Sequence, residues 1–68
     1  MTPRRMPQTM EEYLAAVHGL PFSKRQLFFQ TLQLKVRSRL HKPIAWPDLI
    51  LFVERDDLHV AWVCAIQP

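Results

Sequence analysis

The stretch that most constrains this chain is Ser23–Lys42, SKRQLFFQTLQLKVRSRLHK. It contains six Lys or Arg residues and no Asp, Glu, Gly or Pro. Apolar positions recur in it at three- and four-residue intervals, which predicts a helix over 24–41. Ser23 followed by Gln26 has the form of a capping box, and Phe22 and Leu27 are spaced for a hydrophobic staple. Pro43 ends the helix, because it disfavours helical angles at Lys42.

A helix advances about 100° per residue, which sorts this stretch into stripes. Phe28, Phe29, Leu32, Val36 and Leu40 form the face expected to meet the core. Gln26, Gln30, Gln33 and Arg37 form a polar stripe, and Lys24, Lys35, Arg39 and Lys42 a basic one. Between the two, away from the core, lie Leu27, Leu34 and His41. An apolar seam on the outer side of a helix marks a contact with a second helix of the chain or with a partner.

Upstream, residues 1–8 carry Pro3 and Pro7 without periodicity and read as a flexible arm. Residues 9–68 read as one domain. Thr9-Met10-Glu11-Glu12 is a capping box, with two acids placed for the positive end of a helix dipole. It predicts a helix over 10–18, closed by Gly19 in the left-handed conformation and by Pro21.

Downstream, Pro43 and Pro47 frame a stiff connector with Trp46 as an anchor. Leu49–Val53 and Leu58–Ile66 are apolar runs rich in β-branched and aromatic residues, separated by Glu54-Arg55-Asp56-Asp57. They read as a β-hairpin turning at Asp56-Asp57. A rival reading starts a helix at Pro47 and carries it through Leu58. The alternation of Leu58, Val60, Trp62, Cys64 and Ile66 favours the strand. The expected fold is therefore α+β, in the order ααββ, with a core of Leu14, Val17, Phe28, Phe29, Leu32, Val36, Leu40, Trp46, Leu51, Val53, Val60 and Trp62. Both faces of such a hairpin are apolar, and an isolated two-stranded sheet is marginal. A second copy is expected to complete it.

Size agrees with self-association. A chain of 68 residues buries only about 60% of its unfolded surface, and small cores need a disulfide, a metal or a partner. The single cysteine, Cys64, excludes an internal disulfide and fits a reducing compartment. No apolar run approaches a membrane span, and the N-terminus lacks an apolar signal region, so a cytoplasmic protein without a membrane partner is expected.

Charge is divided along the chain. Residues 1–42 hold eight bases against two acids, whereas 43–68 hold Arg55 against Asp48, Glu54, Asp56 and Asp57. A basic half followed by an acidic half suits an anionic partner, or pairing of one half with the other.

Chemistry-bearing motifs are sparse. His18, His41, His59 and Cys64 lack zinc-site spacing, so no metal is expected. Cys64 sits among apolar residues and reads as a buried structural thiol. Glu54, Asp56 and Asp57 read as turn formers and as a docking site for the basic stripe. There is no glycine-rich phosphate loop. No enzyme activity, cofactor or small-molecule substrate is expected.

Two binding readings follow. The first is a protein-binding module acting as adaptor, regulator or inhibitor, self-associating through the hairpin, with Leu27, Leu34, Lys35, Arg39, Ile50, Phe52 and Val63 at contacts. The second is a nucleic-acid-binding regulator. Gln and Arg can read base edges, and Lys24, Arg25, Gln26, Gln30, Gln33, Lys35, Arg37 and Arg39 would carry that role. Its two helices share the outline of a helix-turn-helix, but the linker 19–22 with Pro21 departs from the compact turn of that motif.

Overall fold

The computed structural model describes residues 6–67. Among these the chain forms four helices and no strand: α1 (Met10–His18), α2 (Phe22–Leu40), α3 (Trp46–Phe52) and α4 (Arg55–Ile66). The expected α+β fold is thus incorrect. The protein is a small all-helical domain, and among the described residues there is no hairpin for a second copy to complete.

The first helix begins as its capping residues dictate. Thr9 Oγ1 accepts the Glu12 backbone N–H at 3.1 Å, and the Glu12 carboxylate accepts the Thr9 hydroxyl at 3.3 Å. Gly19 closes α1 at φ −83°, in the right-handed region, so its left-handed freedom is not used.

The long helix starts at Phe22, earlier than the Ser23 box implies. Pro21 is the capping residue, and its carbonyl accepts the N–H groups of Lys24 and Arg25 at 3.0 Å each. Ser23 therefore lies inside the first turn and does not cap it. Phe22 is itself helical and exposed, so it does not hold the pre-cap position a staple requires. At the far end His41 adopts φ 59° and ψ 30°, the left-handed region, and donates its N–H to the Arg37 carbonyl at 2.8 Å.

The apolar C-terminal third is helical because of what stands at residues 54–57. Glu54 is the capping residue of α4, and the Asp57 carboxylate accepts the Glu54 backbone N–H at 2.9 Å. What reads as a turn is thus a helix start. Beyond it Leu58, Ala61, Trp62 and Ala65 are buried. Their three- and four-residue spacing is that of one helix face, which defeats the alternation read as a strand. The rival helix from Pro47 is nearer to the observed fold, but extended backbone at Val53 and Glu54 splits it in two.

The principal packing is α2 on α4, and α1 lies across both. Phe28, Leu32 and Val36 of α2 are fully buried, and Ala61 and Ala65 of α4 have almost no exposed surface. Alanines at these positions let the two helices approach closely. From α1 come Tyr13 and Val17; the Tyr13 ring meets Trp62 edge-on, with centroids 6.3 Å apart.

Of the expected core, Val17, Phe28, Leu32, Val36 and Trp62 are buried, and Leu14, Phe29, Leu40, Val53 and Val60 are half-buried. Trp46 and Leu51 are exposed. Tyr13, Ile44, Leu49, Leu58, Ala61 and Ala65 belong to the core instead.

Candidate functional site

The surface that stands out is built by α3 and the N-terminal half of α2. α3 has the sequence WPDLILF and, among the described residues, packs against α2 alone. One of its large apolar residues, Leu49, reaches the core. The other four, Trp46, Ile50, Leu51 and Phe52, are exposed, Leu51 at 74% and Trp46 at 51%. The apolar run Leu49–Val53, read in the sequence as a hairpin strand, here belongs mostly to a short helix held at the edge of the domain.

Trp46 and α2 enclose a shallow groove of about 320 Å³, lined by Phe22, Arg25, Gln26, Phe29, Gln30 and Trp46. Phe22, Gln26, Phe29 and Gln30 recur at helical spacing, so one face of α2 forms the floor. The Arg25 guanidinium carbon lies 5.9 Å from the centroid of the Phe22 ring, within the range of a cation–π contact. Arg25 Nε is shielded from water and has no hydrogen-bond partner among the described residues. No acid contributes to the groove lining.

At the other end of the α2/α3 pair, Arg39 joins three helices. Its guanidinium lies 3.2 Å from Asp57 Oδ2 and 3.5 Å from Glu54 Oε1, and it donates to the Phe52 carbonyl at the end of α3. Asp57 is buried at the start of α4, whereas Glu54 is exposed. Lys35, Ser38, Asp56 and Val60 complete a polar recess of about 280 Å³ around this cluster. Asp56-Asp57 is therefore the first turn of α4 and not a hairpin tip, and one base of the basic stripe is neutralised within the chain.

The residues named from the sequence fall into separate places. Ile50 and Phe52 lie on the exposed side of α3, while Val63 is half-buried on α4. Leu27 and Leu34 are both exposed, Leu34 at 61%, so α1 does not cover that seam. Among the proposed nucleic-acid contacts, Gln26, Gln30, Lys35 and Arg37 are exposed and Lys24 half-exposed. Arg39 is engaged with α3 and α4, and Gln33 donates to the Ile44 carbonyl at 3.4 Å. Arg25 lies against Phe22. The set is thereby broken into a groove-lining part, a structural part and a free part.

Cys64 is exposed, not buried, because on a helix it lies off the face that carries Ala61 and Ala65. Sequence reasoning missed Phe22, Phe29 and Trp46 as a groove lining; for Trp46 the signal was an apolar helix too short to hide its own side chains, whereas nothing local to α2 marked Phe22 and Phe29. Among the described residues no helix is long and apolar enough to cross a membrane. Comparison with known proteins gives no match to a family model, a curated protein or a solved structure.

Proposed function

We propose that this chain is a small protein-binding module, acting in the cytoplasm as an adaptor, regulator or inhibitor. Its recognition surface is the outer side of α3 with the adjoining aromatic groove on α2. The observation that carries this reading is the exposure of Trp46, Ile50, Leu51 and Phe52 on one seven-residue helix. Burying a side chain of this kind gains about 1.5–3 kcal/mol, and clustered exposed apolar residues mark interaction sites. Aromatic residues beside Arg are the composition of binding hot spots.

The reading is tested by photocross-linking from position 50 in an extract of the native host, with Leu51→Lys as control. A discrete cross-linked protein that disappears in the variant supports it. Absence of any product that depends on Leu51 overturns it.

Nucleic-acid binding is the second reading. It is favoured by the exposure of Gln26, Gln30 and Arg37 along one stripe of a helix without a single acid. Phosphate contacts make affinity fall steeply with salt. Anisotropy titrations with a labelled duplex and a labelled single strand at two salt concentrations test it. Salt-sensitive binding abolished by Lys35→Glu and Arg37→Glu would support it, and equal, salt-independent binding by the variants would remove it.

A further inference from the structure

We propose that the occupant of the aromatic groove is a second copy of this chain, which inserts the apolar and acidic segment Ile50–Asp56. The inference rests on the protein-binding reading above and adds the partner and the register.

The groove specifies its ligand by what it lacks. Phe22, Phe29 and Trp46 offer an apolar lining, with Arg25 in the wall and no acid beside it. α2 carries two interior-side arginines, Arg25 and Arg39, four turns apart. Arg39 has Asp57 and Glu54 as counter-ions. Arg25 has no ion pair or hydrogen bond among the described residues, and its Nε is closed off from water. A partly desolvated cation without a counter-ion is a cost that a ligand carboxylate removes. The neighbouring end of α2 has the same polarity, with no side-chain cap and no acid in its first turn. The occupant is therefore an exposed apolar segment followed closely by an unpaired carboxylate.

The chain itself displays such a segment. Ile50, Leu51 and Phe52 are exposed, and Asp56 follows four residues after Phe52, exposed and without an ion pair among the described residues, whereas Glu54 is already held by Arg39 and Arg55 stands between the two acids. The segment is part of the acidic half, against the basic half that holds the groove. Arg39 with Glu54 and Asp57 is the same pairing of halves made within one chain.

Geometry agrees. Trp46, at the start of α3, shares the groove with Phe22–Gln30. Phe52, at its end, meets Arg39. The groove and the acidic segment thus sit at opposite ends of the α2/α3 pair. A two-fold axis across that pair brings each groove onto the other copy's segment and makes the contact twice, as a closed dimer requires. Within one chain the two ends cannot meet, because α3 fixes their separation.

Sedimentation and mixing decide it. Phe22→Asp disables the groove and suits a first helical turn; Leu51→Lys disables the segment and suits a last one. Both positions are exposed, and circular dichroism checks that the helices persist. The wild type is expected to dimerise, less tightly as salt rises, with Trp46 emission shifting to the blue on association. Each variant alone is expected to lose both contacts and to dimerise at least about tenfold more weakly. Mixed together they retain one intact groove and one intact segment, and association returns in part. A mixture no better than either variant overturns the proposal. So does a wild type that stays monomeric at millimolar concentration. If that monomer still gives the cross-link that depends on Leu51, the second copy is wrong and the binding surface stands; if it gives none, both readings fall.

Discussion

The Arg39 guanidinium lies 3.2 Å from Oδ2 of Asp57, and that same oxygen accepts the Glu54 backbone N–H at 2.9 Å. One buried carboxylate thus starts α4 and ties it to α2. The Arg39 side chain also donates to the Phe52 carbonyl, so the end of α3 is held by the same group.

Arg39→Ala should therefore destabilise the domain beyond the cost of a surface residue. It leaves Asp57 buried and without its cation, for which full burial would cost about 3–5 kcal/mol. Partial exposure of Arg39 reduces that to about 2 kcal/mol, which lowers Tm by roughly 10 °C in a domain this small. Arg39→Lys keeps the charge but not the fork, and should fall between the two proteins in thermal denaturation.

Close approach of α2 and α4 makes a second prediction. Ala61 has no exposed surface. Ala61→Leu should overpack the seam and cost about 1–3 kcal/mol, whereas His59→Ala, on the outer side of α4, should change stability by no more than about 0.5 kcal/mol. Urea titration of both variants is the measurement. In a strand, both residues would occupy the same side of a sheet and no such contrast would arise.

The end of α2 offers a stabilising substitution. His41 holds φ 59° without being glycine. Left-handed backbone costs an L-residue about 1–2 kcal/mol, so His41→Gly should raise stability, by up to about 1 kcal/mol after the entropy of the freer unfolded chain is subtracted. His41→Val should lower it. Thermal melts of the two variants should move in opposite directions.

Cys64 gives a chemical test of the fold. The thiol is exposed. It should react with Ellman's reagent in the native protein nearly as fast as in urea. A protected thiol would place residue 64 inside a packed face and contradict the helical register of α4.

The legibility of this sequence changes at Pro43. Before it, the Thr9 cap and the spacing of Phe28, Leu32 and Val36 identify α1, α2 and the core face of α2. The outer seam of Leu27 and Leu34 is equally plain. Beyond it, two signals compete. Leu58, Val60, Trp62, Cys64 and Ile66 alternate like a strand, and Leu58, Ala61, Trp62 and Ala65 repeat like a helix. β-branched residues lean the first way by only tenths of a kcal/mol each. Asp57 decides for the second by satisfying the Glu54 N–H, and the two alanines allow α4 to settle on α2. That outcome depends on α2 being present, which local periodicity does not register. The groove was harder still, since Phe22, Phe29 and Trp46 are brought together only when α3 returns along α2.

Attachment of α3 to α2 alone has a consequence for motion. The α2/α4 seam and α1 can stay intact while α3 lifts away, because among the described residues no other helix rests on it. Opening exposes Leu49 and breaks the Arg39–Phe52 hydrogen bond. Amide hydrogens of Leu49–Val53 should accordingly exchange through a local fluctuation far below the free energy of global unfolding, while those of Leu32–Val36 wait for the whole molecule. The segment that presents the apolar surface is thus also the one most able to change its posture when something binds.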